Sequence, residues 1–293
     1  MTQHRIGVMY DRAWEPEGLP GFARAVEALG IEELWVVEDL GWTGAMSSAA
    51  AALGATDRLR VGIGIAPAPL RNPALLAMEL AALARMFPGR LTAGVGHGVG
   101  EWMAKVGAAA RSPLALLEET LTVVRGLLRG ERVTLDGREV RVDGVQLVHP
   151  PVTVPPLVAG VVRPRSLELS GRVADGTLLP EGQGPDDVAA ALAHIGKGRT
   201  GERPHSLTTF TFLSVDSPGA DPAAGQAVIA GQAAWLGRPA DQIFAASGSP
   251  EAAAAAIRAL WAAGVGTVVL RPLGPQPLRQ LAAAQAALRQ PAA

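Results

Sequence analysis

The chain has 293 residues, of which 48% are hydrophobic and 18% are charged, so it has ample material for a core and is not intrinsically disordered. The formal net charge of −1 leaves no broad basic field for nucleic acid or for an anionic membrane. Cysteine is absent, which excludes disulfides, thiolate catalysis and cysteine-based zinc sites. The five histidines are too scattered to predict a metal site.

The start of the chain predicts no targeting segment. Residues 1–5 are polar and lead into a strand-like stretch instead of an apolar signal core. The richest apolar stretch, residues 251–270, carries charges and glycines and is typical of a helix followed by a strand rather than a membrane span. We therefore expect a cytoplasmic protein without a membrane or nucleic-acid partner.

Strand-like and helix-like segments alternate from end to end. The predicted strands cover residues 5–10, 33–37, 59–65, 90–95, 156–160, 176–179, 207–215 and 267–270. Helical stretches lie between them, including a long one at residues 220–246. Such a sustained series favours a single α/β domain over residues 1–293, a (β/α)₈ TIM barrel, over a doubly wound sheet.

The alternation breaks once, after helix four of the predicted series. Residues 131–155 contain two Asp-Gly pairs, Asp136-Gly137 and Asp143-Gly144, which predict turns of a hairpin-like insert. Placed after that helix, the insert is expected to cover the mouth of the barrel.

The carboxyl ends of the strands form the site in such a barrel, which directs attention to the residues after each strand. Gly94, Gly96 and Gly98 alternate at the end of the fourth strand. Glycine at every second position clears one face for a flat ligand, although a flexible loop has the same pattern. His97 lies among these glycines and is either a ligand contact or a structural histidine.

The turn before the fifth helix predicts an anion site. Free N–H groups and the helix dipole after Gly160 favour a phosphate near Val162 to Ser166. Arg163 or Arg165 would add positive charge, unless both are ordinary surface residues of an arginine-rich chain.

Acidic and aromatic residues follow other strands. Glu38 and Asp39 come after the second strand and are either acid–base or ligand-orienting groups, or carboxylates that cap a helix or pair with a cation. Trp42 and Trp102 either wall a pocket for a planar ligand or pack in the core.

Several stretches together resemble the luciferase-like monooxygenase family over nearly the whole chain. The matching segments are residues 25–39, 59–65, 71–73, 90–98, 174–176, 249–251 and 263–271. The resemblance implies a (β/α)₈ barrel that forms a homodimer, acts on a small-molecule substrate and binds FMN or the deazaflavin coenzyme F420 at its carboxyl face. It also implies a non-proline cis peptide at Gly64-Ile65 that supports the central ring of the cofactor.

The resemblance assigns further cofactor contacts. The residues implied to contact the cofactor are Asp39, Gly64, Ile65, Gly94, Gly96, Gly98, Gly160, Val161, Val162, Arg163, Arg165 and Glu181. The segment from Gly160 to Arg165 would hold the phosphate. Glu181 resembles an acidic position of the deazaflavin reductases, which favours F420 over FMN.

One departure from the family pattern concerns the proton donor. Many members have an Asp-His pair after the second strand, whereas this chain has Asp39-Leu40. Glu38, as base, and His97, as acid, are the catalytic candidates that remain. The implied function is hydride transfer between F420 and an organic substrate. The alternatives are an FMN-dependent monooxygenase and a cofactor-binding paralogue without turnover. An unrelated aldolase- or isomerase-like barrel would need a lysine or a paired acid and base at a strand end, and Lys105 and Lys197 fall on no strand.

Overall fold

A computed structural model describes residues 4–215 and 222–290. Eight parallel strands close into a ring, which confirms the predicted barrel. In ring order they are β1 (Arg5–Met9), β2 (Glu33–Val36), β3 (Arg60–Pro67), β4 (Leu91–Gly96), β7 (Leu157–Gly160), β8 (Gly176–Leu179), β9 (Ser206–Val215) and β11 (Thr267–Pro272). Strand β11 pairs in parallel with β1 and closes the ring.

Helices cover the outside of this ring. They are α1 (Leu19–Ala28), α2 (Ala45–Gly54), α3 (Pro73–Met86), α4 (Gly100–Lys105), α5 (Pro113–Leu128), α6 (Pro164–Val173), α7 (Pro185–Gly198), α8 (Pro222–Leu236), α9 (Pro250–Ala262) and α10 (Pro277–Leu288). Proline begins most of them, because at the first helical position its fixed φ is favourable and its missing N–H is not needed. Within the described ranges, no helix combines the length and hydropathy that a membrane crossing requires.

The insert is a two-stranded antiparallel hairpin of β5 (Val133–Asp136) and β6 (Arg141–Val145). Only the first Asp-Gly pair forms its turn, since Gly144 lies within β6 near an irregularity in the pairing. The Glu119 carboxylate of α5 accepts three backbone N–H bonds from the turn. The hairpin is therefore anchored on α5, and its position over the mouth stays a prediction.

One predicted helical region is divided. Residues 222–236 form α8, but Gly237 adopts φ +68° and Pro239 follows, so the helix ends there. The chain then forms a short strand, β10 (Ala245–Gly248), which pairs in parallel with the end of β9. Residues 220–221 of the predicted helix lie outside the described residues.

The interior of the barrel is a packed core. It contains Met9, Trp35, Val158, Leu178, Phe210 and Val269, with Val37 and Ile65 partly buried against them. The Trp35 ring fills the centre, and a Cβ at Gly62 would lie 2.3 Å from it. Glycine in this strand thus makes room for the indole, and a ligand has access only from an open end of the barrel.

Charged residues close the amino-terminal end of the barrel. We name Arg5, Glu32, Glu33 and Arg60 the base cluster. The Trp35 indole donates to Glu33 over 3.1 Å, and Arg60 Nη2 lies 2.6 Å from Glu32 and 3.5 Å from Glu33. Burial raises the pKa of Glu33 although both arginines act to lower it.

Candidate active site

The floor of the carboxyl-terminal mouth is apolar and carries a special peptide bond. The Gly64-Ile65 bond is cis, which confirms the prediction made for this position. Val37 and Ile65 are only partly buried and cover the interior core from above. The floor therefore offers an apolar surface to a ligand in the mouth.

The glycines beside this floor have a packing role. A Cβ at Gly160 would lie 2.3 Å from Ile65 Cγ2, and one at Gly96 would lie 3.1 Å from Ile65 Cγ1. A Cβ at Gly94 would lie 2.2 Å from the Ile63 carbonyl oxygen. The space that a side chain would need is thus occupied by the neighbouring strands, through the carbonyl oxygens of Ile63 and Gly160 and the side chain of Ile65. Strand packing therefore accounts for glycine at Gly94 and Gly96, and their contact with a flat ligand stays a prediction.

Gly98 differs from these glycines because its backbone conformation itself favours glycine. It adopts φ +68°, and a Cβ there would lie 3.0 Å from Pro67 and 3.1 Å from the Met103 sulfur. The turn at Gly98 directs the chain into the short helix α4, which the sequence did not predict.

His97 connects two sides of the mouth. Its Nε2 lies 2.9 Å from the hydroxyl of Ser166 in the first turn of α6. Burial lowers the pKa of His97, and the backbone of Pro113 opposes that lowering only in part. Burial thus favours the neutral ring, which fits a hydrogen-bonding role better than the general acid that the sequence suggested.

The amino terminus of α6 has the features of an anion cradle. Val161 is buried and donates to Leu178, whereas the N–H groups of Val162, Arg163 and Arg165 make no hydrogen bond within the described residues. The side chains of Arg163 and Arg165 are exposed at the same helix end. Free donors, helix dipole and two guanidinium groups together suit a phosphate.

Glu38 is fully engaged by structural partners. Its two oxygens accept hydrogen bonds from Arg71 over 2.7 and 2.8 Å, and Oε2 also accepts from the Ala45 N–H at the start of α2. Arg71 additionally contacts Glu79. These contacts disfavour the role of general base predicted for Glu38 and favour the alternative of a helix-capping, ion-paired carboxylate.

The rim above the floor is aromatic and cationic. Asp39 forms an ion pair with Arg12. The Arg12 guanidinium lies 4.6 Å from the centre of the Trp42 ring and 5.9 Å from that of Trp102. The two tryptophans therefore meet at the rim and not in the core.

Sequence reasoning named Glu181 as a cofactor contact but did not place it in a buried ion cluster with Asp11 and Arg271. Arg271 Nε donates to Asp11 over 2.8 Å, and its Nη1 donates to Glu181 over 3.0 Å. We name these three residues the mouth cluster. Burial acts to lower the pKa of Arg271, but the Glu181 and Asp11 carboxylates outweigh it and raise that pKa. The resemblance had pointed to Glu181, and its contact with the cofactor stays a prediction. For Asp11 and Arg271 the only sequence signal was that they follow or end a strand.

Two cavities lie beside the mouth. One of about 400 Å³ is lined by residues after β3, by the loop between α4 and α5, and by the hairpin. The other, of about 180 Å³, lies between α6 and α7 and is lined by Val162 and Gln183 among others. Neither contains the mouth cluster.

Comparisons with known proteins agree with this geometry. The chain is 28% identical over 214 residues to a 5,10-methylenetetrahydromethanopterin reductase of Methanolobus tindarius, covering 71% of this chain and 65% of that protein. It is 28% identical over 221 residues to an F420-dependent glucose-6-phosphate dehydrogenase of Nakamurella multipartita, covering 68% and 63%. The matched region thus spans slightly less than two thirds of each relative.

The fold recurs among solved structures. An F420-dependent secondary alcohol dehydrogenase in complex with an F420-acetone adduct superimposes with a TM-score of 0.83 at 20% identity, covering 98% of this chain and all of the other. The family model described as luciferase-like monooxygenase matches residues 1–282. With its closed barrel, its mouth and this match over nearly the full length, the chain belongs to the luciferase-like monooxygenase family.

Proposed function

We propose that this protein binds coenzyme F420 in the mouth of the barrel and catalyses hydride transfer between F420 and an organic substrate. The observation that carries the proposal is the set of free N–H donors at the start of α6, next to an apolar floor. Both curated relatives described above support a redox function, and one is F420-dependent by name.

The residues present fit such a cofactor. Val37 and Ile65 form an apolar floor for a planar ring, while Arg163 and Arg165 stand beside the free donors for a phosphate. His97 orients the Ser166 hydroxyl through their 2.9 Å contact. When bound, F420 supplies the hydride-transferring centre, and the protein supplies binding, orientation and exclusion of water.

We further infer that two copies of the chain form a homodimer. Leu75, Met78 and Met86 on α3 are 49%, 57% and 61% exposed, which leaves an apolar stripe on one helix. Such a stripe is typical of an interface. Size-exclusion chromatography with light scattering tests this inference, and Met78→Glu is expected to yield monomers.

The experiment that tests the function is a titration of the purified protein with F420 and, separately, with FMN, followed by fluorescence quenching. We expect saturable binding of F420 and weaker binding by Arg163→Gln/Arg165→Gln, because the phosphate loses two cations. Arg24→Gln removes one positive charge from the exposed side of α1 and is the matched control for the single variants Arg163→Gln and Arg165→Gln.

The alternatives predict other results. Preferential binding of FMN would support the monooxygenase. Binding of F420 without turnover of any reductant or substrate would support the paralogue without activity. If neither cofactor binds, the proposal fails.

A further inference from the structure

The mouth cluster combines burial with an unbalanced charge. Arg271, Asp11 and Glu181 have side chains that are 12%, 11% and 10% exposed. One guanidinium faces two carboxylates, and the Arg271 guanidinium also lies 5.6 Å from the centre of the Phe212 ring. This part of the mouth therefore carries excess negative charge in a poorly solvated position, where charge interactions are strong.

The other arginines near the floor are also paired with carboxylates. Arg71 is held by Glu38 and Glu79, and Arg12 by Asp39. The exposed Arg163 and Arg165 lie at the α6 end, where the proposed function places the phosphate of the cofactor. An anionic group on a substrate that reached Arg271 would meet a cation already neutralised by two carboxylates.

The cluster still has two polar atoms to offer. Asp11 uses both oxygens, one on Arg271 and one on the Ala13 N–H. Within residues 4–215 and 222–290, however, no hydrogen bond involves Glu181 Oε2 or Arg271 Nη2. A carboxylate acceptor and a guanidinium donor on neighbouring, paired side chains match a hydroxyl group, which accepts and donates at once.

We propose that Glu181 and Arg271 determine substrate specificity, selecting an uncharged hydroxyl-bearing substrate, or its carbonyl product, and rejecting phosphorylated substrates. The proposal rests on the proposed function, since it names the substrate class of that site. The dehydrogenase relative acts, by its name, on glucose 6-phosphate. Here the carboxylates of Asp11 and Glu181 would repel such a phosphate, because a like charge in a binding site lowers the affinity for the wrong ligand.

The test compares glucose with glucose 6-phosphate, which differ only in the phosphate group. Binding is measured by calorimetry, in the Arg163→Gln/Arg165→Gln background so that the α6 end does not capture phosphate. We expect the chain with an intact cluster to bind glucose 6-phosphate no better than glucose. Asp11→Asn/Glu181→Gln frees Arg271 and is expected to shift the preference towards glucose 6-phosphate by at least about tenfold.

Two controls make the result specific. Adding Arg271→Gln to the double variant should abolish the shift. Glu118→Gln removes one negative charge from the outer ion pair with Arg172, as Glu181→Gln does from the mouth cluster, and should leave the preference unchanged. If the double variant does not fold, as judged by its thermal transition, Glu181→Gln alone is used and should shift the preference in the same direction.

A preference for glucose 6-phosphate with the cluster intact would overturn the proposal, as would an unchanged preference in a folded variant. Because this readout involves no redox step, its outcome is independent of the F420 titration. In the F420-loaded enzyme, a secondary alcohol should be oxidised with a KM that Glu181→Gln raises, whereas loss of activity without a change in KM would indicate a structural role for Glu181.

Discussion

The two ends of the barrel each carry a cluster of arginines and carboxylates, but the clusters differ in composition and burial. In the base cluster, Arg5 and Arg60 have side chains that are 33% exposed, and two cations face two carboxylates. In the mouth cluster the single arginine is 12% exposed and faces two carboxylates.

The difference indicates two purposes for similar chemistry. The arginines and carboxylates of the base cluster neutralise each other at the solvent boundary and cover the core below Trp35. Residues at this end of a (β/α)₈ barrel contribute to stability. The mouth cluster keeps an unbalanced charge in a buried place, which costs folding energy that other contacts must offset. Such an arrangement at the carboxyl end is typical of a functional site.

The largest difference between the two clusters is expected in the free energy of unfolding after removal of an arginine. Arg271→Leu leaves two buried carboxylates without a cation and is expected to lower the free energy of unfolding by about 3–5 kcal/mol. Arg60→Leu removes a partly exposed cation and should cost about 1 kcal/mol or less. Urea unfolding of both variants at pH 7 measures the difference, and equal losses would contradict the comparison.

A Glu38 variant tests whether this carboxylate at the mouth takes part in catalysis or only stabilises the fold. Glu38→Gln weakens the contacts with Arg71 and Ala45 and is expected to lower the free energy of unfolding by about 1.5–3 kcal/mol, the range for hydrogen bonds to charged groups. Turnover with F420 should then fall by much less than the roughly 10²-fold expected for loss of a general base. Steady-state kinetics and urea unfolding of Glu38→Gln distinguish the two roles, and Arg71→Gln is the matched variant. A 10²-fold loss of kcat without loss of stability would restore the catalytic role.

Two histidines extend the comparison to acid stability. His205 precedes β9 at the base side, contacts the Thr177 hydroxyl over 2.9 Å, and burial lowers its pKa to about 4. Burial also lowers the pKa of His97 at the mouth. Neutral histidine is favoured in both cases, so the stability contribution is present above the ordinary value of about 6.5 and is lost as the pH falls below it.

We expect the urea midpoint to fall between pH 6.5 and pH 4, the pKa of His205, and the His205→Gln variant to fall less. The effect of His97→Gln should have the same sign. The side chain of His149 is exposed, and His149→Gln serves as the control. A parent protein with constant stability over this range would refute the expectation.

The smallest effect is expected from Glu33 in the base cluster. Since burial raises its pKa, the protonated form is favoured in the folded state. Its contribution to stability is thus complete below the unfolded pKa and is lost as the pH rises through the folded one. Glu33→Gln should remove this decline. The urea midpoint of the variant should therefore change less with pH above about 4.5 than that of the parent protein. An unchanged profile would show that Arg5 and Arg60 already compensate for the burial.

Much of the fold could be predicted from local sequence. The alternation of apolar strands with amphipathic helices determines the eight-stranded barrel, since each signal lies within one segment. Resemblance over a continuous motif located the cis bond at Gly64-Ile65, and the turn after Gly160 pointed to a helix amino terminus. The division of residues 220–246 was missed because the alanine-rich composition favours helix on both sides of Gly237.

The sequence by itself determined the barrel and the strand ends that form its mouth, because the periods of helices and strands are local properties of the chain. Only the tertiary structure decided which side chains meet there. Arg71 pairs with Glu38 across 33 residues, and Arg271 reaches Glu181 across 90 and Asp11 across 260. Closure of the ring makes the first and last strands neighbours, and no local pattern encodes which charges that closure brings into contact.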